Sequence, residues 1–176
     1  MRKKLSALFV VMLATGPALA HGPTRQKVDE SVVINAPPEK VWAVVQNFHD
    51  MSWDPDVAST DGDGENTVNS TRTLHMKGGG ELVQTLEAYK PEKHSYSVFM
   101  PHNDPKVLAV ADFSSQLSVT AADNDMSTVE YRAAGYRGDP NGDPPEALND
   151  ASAISAMKTY VLDGLSGLKK KVEGGS

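Results

Sequence analysis

The sequence predicts one α+β domain in which a curved antiparallel sheet wraps around a long C-terminal helix. Strand-like runs separated by turn-forming clusters fill residues 57–138, and an apolar stripe with helical spacing follows over residues 151–172. A first strand and a short helix precede both features. A single helix about 10 Å wide cannot fill the concave side of a twisted sheet, so a cavity is expected between them.

Residues 1–20 are predicted to be a secretory signal peptide. Three early cations precede a short apolar run, and Ala18-Leu19-Ala20 forms a small-residue cleavage site. The apolar run is shorter than the roughly 20 residues that a membrane helix needs. We therefore expect a periplasmic protein, cleaved after Ala20, with no membrane association after cleavage. Residues 21–27 are expected to form a flexible lead-in and residues 28–173 the domain.

Charge and cysteine content exclude several functional classes. Residues 1–20 contain three cations and no acid, so cleavage changes the formal net charge from −6 to −9. After cleavage the only cationic run is Lys169-Lys170-Lys171, which is too little for nucleic-acid binding and suits a helix C-terminus. The chain has no cysteine, which excludes disulfides, thiolate metal sites and c-type haem attachment.

The first elements are a strand and a short helix. Val28 to Ala36 is rich in β-branched residues, and Pro37-Pro38 ends it and opens the helix. Val41, Val44, Val45 and Phe48 share one face of that helix. From His49 to Val57, turn formers predict a tight helical turn that leads into an extended segment.

An antiparallel meander then follows, with turns at residues 61–64, 77–80, 90–93 and 122–125. Alternation is clearest near its end, where Phe113, Leu117 and Val119 lie on the covered face, as do Val129, Tyr131 and Ala133. The predicted strands are Thr71 to Met76, Glu81 to Tyr89, Ser95 to Met100, Leu108 to Thr120 and Thr128 to Arg137.

The long helix is predicted from an apolar stripe. Asp143-Pro-Pro-Glu146 has the spacing of a capping box with Pro144 at the first helical position, and Gly174-Gly175 ends the helix. The stripe that should face the sheet is Ala151, Ile154, Met157, Val161, Leu165, Leu168 and Val172.

No catalytic, cofactor or metal motif is present, and we predict none of these sites. The five histidines (His21, His49, His75, His94 and His102) have no pair at helical spacing. Asp61, Asp63 and Glu65 alternate as in a calcium loop, but the twelfth residue from Asp61 is Arg72 rather than glutamate. One question stays open: cleavage would make His21 the amino terminus, where its imidazole and α-amino group can chelate copper.

Six large side chains are predicted to line the cavity, because they are apolar or aromatic and fall on inward-facing elements. Buried tyrosines and tryptophans also bring a polar tip that orients a ligand. The six are Trp53, Tyr96, Phe113, Tyr131, Met157 and Tyr160. An enzyme would instead need a buried acid or base, for which the candidates are Asp112, Glu130 and His94.

Two motifs carry a family resemblance. With the order of elements, Ala36-Pro-Pro-Glu-Lys-Val-Trp42 and Trp53-Asp-Pro-Asp-Val57 resemble the START/Bet v 1-like (SRPBCC) superfamily, which includes the polyketide-cyclase-like proteins. The resemblance covers residues 28–172 and implies the helix-grip fold. That superfamily contains both ligand carriers and catalysts, so the fold alone does not decide the function.

Within the superfamily the chain is most similar to the MxaD-type periplasmic accessory proteins of methanol oxidation. The similar segments are His21 to Val28, Tyr136-Arg-Gly-Asp139, Pro144 to Asp150 and Gly167 to Gly174. This resemblance implies a non-enzymatic role that assists methanol dehydrogenase with its cytochrome c acceptor. The acidic mature chain would then associate with a basic partner weakly and in a salt-sensitive way. The alternatives are a carrier of a small apolar or amphipathic ligand and, third, an enzyme of the cyclase or hydratase kind.

Overall fold

The computed structural model describes residues 22–62, 64–101 and 103–174. The elements are β1 (Gln26–Ile34), α1 (Pro38–Val45), β2 (Val57–Gly62), β3 (Thr71–Met76), β4 (Glu81–Lys90), β5 (Ser95–Met100), β6 (Val110–Ala121), β7 (Ser127–Arg137) and α2 (Asp150–Gly174). The strands form one antiparallel sheet in the order β1-β7-β6-β5-β4-β3-β2, and the predicted α+β helix-grip architecture is confirmed. Two single 3₁₀ turns, Pro91–Lys93 and Glu146–Leu148, precede β5 and α2.

Most element boundaries agree with the sequence-based prediction. β3 and β5 have the predicted bounds, whereas β1 begins two residues early, at Gln26, and pairs with β7 along its whole length. α1 ends at Val45, so Phe48 lies beyond the helix, yet its side chain is fully buried. The predicted signal peptide, His21, Asp63 and His102 lie outside the described residues.

Strand β6 contains a bulge that bends the sheet. The register with β7 shifts between Ala111 and Ser114, and Asp112 within the bulge has φ 47°. On β7, a side chain at Gly135 would place its Cβ 2.2 Å from Val110 Cγ1. The close approach of the two strands therefore requires glycine at this position.

The start of α2 differs from the predicted capping box. Glu146–Leu148 form a 3₁₀ turn, and the helix begins only at Asp150. The cap is Asn149, whose Oδ1 accepts a hydrogen bond of 2.9 Å from the Ser152 amide. The prediction of Asp143 as the cap is wrong, because the 3₁₀ turn inserts before the helix and moves its first turn along the chain.

The apolar stripe of α2 packs on the sheet along most of its length. Met157, Val161, Leu165, Leu168 and Val172 are buried as predicted. Ala151 is exposed and Ile154 is 39% exposed, so these two assignments are wrong. The centre of the buried face runs instead through Ala153, Met157, Tyr160 and Gly164, which puts residues 151 and 154 at or beyond its border.

Among residues 22–62, 64–101 and 103–174, no helix combines the length and the apolar character needed to cross a bilayer.

Candidate functional site

An opening of about 440 Å³ lies between the loop that precedes β6, the first half of α2 and the adjoining ends of β3 and β4. We call it the loop–helix cleft. Its apolar wall is formed by Met76, Leu82, Val107, Leu108 and Ala156, with Tyr160 bordering it from α2. The exposed side chains of Asp56 and Lys106 stand at its edge. Ser152, Ser155 and Thr159 of α2 also line it, so the cleft combines an apolar wall with hydroxyl groups and has the size of small-molecule sites.

The loop on one side of the cleft is held by its own hydrogen bonds and by the β3–β4 turn. The amides of Val107 and Leu108 both donate to the carbonyl of Asp104, at 2.8 and 3.0 Å. Asn103 Nδ2 donates to the Leu108 carbonyl at 2.5 Å. In the neighbouring turn, Gly80 has φ 83°, and a Cβ there would come within 2.3 Å of Val107 Cγ2. A larger residue at position 80 would therefore displace this wall.

Two of the aromatic side chains predicted to line a cavity lie against Tyr160. The rings of Phe113 and Tyr160 meet edge to face with centroids 5.4 Å apart, and the Tyr131 ring lies 6.1 Å from the Tyr160 ring. Burial is the main cause that raises the pKa of the Tyr131, Tyr160 and Tyr96 hydroxyls. These phenols therefore stay protonated at neutral pH.

Two of the six predicted lining residues border an opening, and the other four lie within the core. Tyr160 borders the loop–helix cleft, whereas Trp53 borders a separate depression near the C-terminal end of α2. The other four, Tyr96, Phe113, Tyr131 and Met157, are buried in the core between the sheet and α2. Their contact with a ligand stays a prediction.

A buried polar chain that the sequence-based analysis did not identify ends at the same tyrosine. Arg72 on β3 is 2% exposed, and its Nε and Nη2 donate to Gln84 Oε1 on β4 at 2.8 and 2.5 Å. Its Nη1 donates to the Phe48 carbonyl, and its guanidinium lies 4.3 Å from the centre of the Phe48 ring. Gln84 Nε2 then donates to Tyr160 Oη at 3.0 Å. Arg72, Gln84 and Tyr160 therefore link three elements through the core.

The sequence signal for the buried polar chain is that two polar residues occupy positions where the alternation of their strands calls for buried apolar residues. Arg72 lies two residues before the buried Leu74, and Gln84 lies between the buried Leu82 and Leu86. Successive side chains of a strand point to opposite faces, so both polar residues had to point inward with the leucines.

Asp54 is the only buried acid among the described residues, with 4% of its surface exposed. Burial raises the pKa of its carboxyl from 3.8 to about 6. Two groups lower the pKa of this carboxyl: the Asp56 amide, which donates to Asp54 Oδ1 at 3.0 Å, and the positive charge of Arg72. The carboxylates of Asp56 and Asp163 raise the pKa further. Among the described carboxyls, Asp54 is therefore the one whose ionisation lowers the stability of the fold most.

A glycine of α2 lets the Asp54 segment lie against the helix. A Cβ at Gly167 would be 2.4 Å from both Pro55 Cδ and the Trp53 carbonyl oxygen. At Gly164 a Cβ would make ordinary contacts, 3.5 Å from Asp54 Oδ2 and 3.4 Å from the Tyr131 ring. The burial of Asp54 thus depends on the small size of Gly167, which lies far along the chain.

The three acid or base candidates from the sequence do not lie at the cleft. Asp112 is exposed in the β6 bulge, and Glu130 lies on the outer sheet face, paired with Arg132 at 2.6 Å. His94 lies in the turn before β5, stacked on Trp42 with ring centroids 5.6 Å apart. Their assignment as buried cavity groups is wrong, because each belongs to a turn, a bulge or an outward strand position.

No group of three or more histidine, aspartate or glutamate side chains is placed to hold a metal ion in the described part of the chain.

A second groove, of about 360 Å³, lies on the outer sheet face across β1, β7, β6 and β5. Small residues such as Ser97, Ser114 and Ala134 form its floor, and Lys27 and Arg132 stand at its rim. The buried polar chain is on the other side of the sheet, beside the loop–helix cleft. The cleft is therefore the better candidate for a selective site.

Comparisons with known proteins agree with this geometry. A protein from Nitrosospira multiformis matches with a TM-score of 0.66 and 25% identity, covering 84% of this chain and 96% of its own. The protein XoxI from Bacillus cereus matches with a TM-score of 0.69 and 20% identity, covering 84% and 95%. A protein from Thermobifida fusca gives 0.66 and 22%, covering 84% and 93%. No curated protein matches the chain.

The family comparison covers nearly the whole described domain. The family described as "Polyketide cyclase / dehydrase and lipid transport" matches residues 25–173, from the residue before β1 to the last turn of α2. The structural neighbours have the same SRPBCC-type fold. The chain therefore belongs to the polyketide cyclase/dehydrase and lipid transport family.

Proposed function

We propose that this protein is a non-enzymatic binding protein whose loop–helix cleft takes a small apolar or amphipathic molecule. The observation that carries the proposal is an opening of about 440 Å³ with an apolar wall, bordered by Tyr160, the residue at which the buried polar chain ends. Apolar walls with a few fixed polar groups are typical of small-molecule sites. The membership of a family that includes lipid transport supports the same function.

The position of the charged groups supports binding rather than catalysis. Asp56 and Lys106, the acid and the cation that border the cleft, are both exposed at its edge. A general acid or base must lie within hydrogen-bond reach of the reacting atoms of a bound substrate, and neither of these exposed side chains is enclosed by the apolar wall of the cleft.

Binding of diphenylhexatriene, a hydrocarbon that fluoresces only in apolar surroundings, tests this proposal. Ala156→Phe would fill the cleft from α2 and should weaken the binding of this probe at least about tenfold, since it removes volume that the probe needs. Ala151→Phe is the matched control, because Ala151 is exposed on the same helix away from the cleft. The proposal is wrong if wild-type protein does not bind the probe, or if both variants bind it equally.

We also propose, as the cellular role of this binding protein, assistance to periplasmic methanol dehydrogenase and its cytochrome c acceptor. Two features of the sequence support this role: the MxaD-like segment from His21 to Val28, and the net charge of −9 after cleavage at Ala20. A strongly acidic protein associates faster with a basic partner at low ionic strength than at high.

The role is tested with the mature chain immobilised and purified dehydrogenase and cytochrome c applied at low and at high salt. Retention of either protein at low salt, and its release at high salt, is expected. Absence of both at low salt contradicts the role. Amino-terminal sequencing of the protein from the periplasm checks export, with His21 expected as the first residue.

A further inference from the structure

The direction of every hydrogen bond in the buried polar chain is fixed by Arg72. A guanidinium only donates, so the Gln84 oxygen must face Arg72, and the Gln84 amide nitrogen must face Tyr160. This order also fixes the orientation of the Gln84 amide, which geometry alone does not determine. Tyr160 Oη therefore accepts a hydrogen bond from Gln84 within the buried polar chain.

Tyr160 consequently keeps its own proton for another partner. A phenolic oxygen can accept two hydrogen bonds and donate one. Gln84 Nε2 occupies one acceptor position, and the Tyr131 hydroxyl, which also hydrogen-bonds with Tyr160, can occupy the other. Because the buried polar chain starts from a cation, each hydrogen bond in it polarises the next, and this makes the Tyr160 O–H a stronger donor.

Within the described residues, the buried cation at the start of the polar chain has no acidic partner in contact with it. Arg72 forms no ion pair with a carboxylate in this part of the chain, and its guanidinium donates to the Gln84 side chain and to the Phe48 carbonyl. Its charge therefore acts on Tyr160 through Gln84, and a ligand oxygen that accepts from the Tyr160 hydroxyl completes the series of hydrogen bonds.

We propose that the ligand of the loop–helix cleft carries a carboxylate or carbonyl oxygen at its inner end, and that the Arg72–Gln84–Tyr160 chain selects such a head over an ammonium. This inference rests on the proposed function and names the ligand class of the same site. The apolar wall contacts the body of the ligand, and the Tyr160 hydroxyl donates to its head. An ammonium in the same place would put donors against a donor.

The experiment uses displacement of diphenylhexatriene by decanoate, 2-decanone and decylammonium, which share one chain length and differ in the head. Decanoate or 2-decanone should displace the probe at concentrations about tenfold lower than decylammonium, the difference that one hydrogen bond supplies. Equal displacement by all three molecules, or stronger displacement by decylammonium, overturns the head-group inference while leaving the proposed function standing. Failure of the probe to bind at all overturns the proposed function instead.

Two variants test whether the polar chain is responsible. Tyr160→Phe removes the donor and should reduce the preference for decanoate or 2-decanone over decylammonium about tenfold. Gln84→Glu keeps the acceptor for Arg72 but offers Tyr160 an acceptor in place of a donor, so the phenol proton turns inward and the preference should fall similarly. This second variant gives the buried Arg72 guanidinium an ion-pair partner, and its urea unfolding curve checks that the fold is retained.

The matched control is Tyr136→Phe, which makes the same change at a tyrosine whose ring lies under the Arg25 guanidinium at 5.4 Å, away from the cleft. It should leave the preference unchanged. A preference that survives both Tyr160→Phe and Gln84→Glu contradicts the assignment of these residues.

Discussion

Asp54→Asn should stabilise the protein at neutral and alkaline pH. Asp54 is 4% exposed, and burial raises the pKa of its carboxyl to about 6. The ionised form is therefore the unfavourable one in the folded state. Asparagine keeps the size of the side chain, and its oxygen can still accept the 3.0 Å hydrogen bond from the Asp56 amide.

The size of the effect follows from the two pKa values. A rise from 3.8 in the unfolded chain to about 6 in the fold costs the folded state about 3 kcal/mol once the carboxyl is ionised. The folded state binds the proton more tightly, so the cost is complete above pH 6, shrinks as the pH falls from 6, and is absent below 3.8. The variant should therefore be more stable by up to about 3 kcal/mol at pH 8 and by progressively less toward pH 4.

Urea unfolding followed by tryptophan fluorescence between pH 4.5 and 8 measures this difference. Asp123→Asn, in an exposed turn, is the control and should change the free energy of unfolding little at any pH. The reasoning is refuted if Asp54→Asn destabilises the protein at pH 8, or if its effect does not vary with pH.

Two further predictions concern close packing and an exposed histidine. Gly167→Ala should destabilise the fold by about 1 to 3 kcal/mol, because its Cβ would lie 2.4 Å from Pro55 Cδ; Gly142→Ala, where nothing lies within 4 Å, should not. Urea midpoints check this, and equal midpoints for the two variants would contradict it. The hydrogen bond to Asp61 is the main cause that raises the pKa of His75 above 6.5, so this contact stabilises the fold at lower pH and is lost as the pH rises through the raised pKa. An NMR titration should give a His75 midpoint above 6.5 that Asp61→Asn lowers, and an unchanged midpoint would count against the contact.

The parts of the fold that local pattern decides could be predicted from the sequence. Phe113, Leu117 and Val119 share a buried face because side chains alternate along any strand, and Met157, Val161 and Leu165 share one because helical spacing brings them together. The position of the N-terminal cap of α2 could not be predicted from local pattern. Asp143 and Asn149 both have side chains that cap helices, and the 3₁₀ turn that selects Asn149 is not encoded by cap chemistry.

The candidate site depends on contacts between distant segments, so less of it could be predicted. Asp54 is buried because Gly167 lets its loop approach the surface of α2, a contact that spacing along the chain does not indicate. Arg72 and Gln84 have the polarity of surface residues, and the alternation of their strands is the only local sign that they point inward. Tyr160 was predicted as a lining residue, but its place at the end of a donor chain follows from the pairing of β3 with β4.

The location of bound diphenylhexatriene tests the central claim most directly. In ¹⁵N-labelled protein, ring currents from the probe should shift amide resonances of residues 76–82, 106–109 and 152–160 around the loop–helix cleft. Shifts confined to Ser114, Gln116 and Arg132 in the outer-face groove would contradict the claim that the cleft between the sheet and α2 is the binding site.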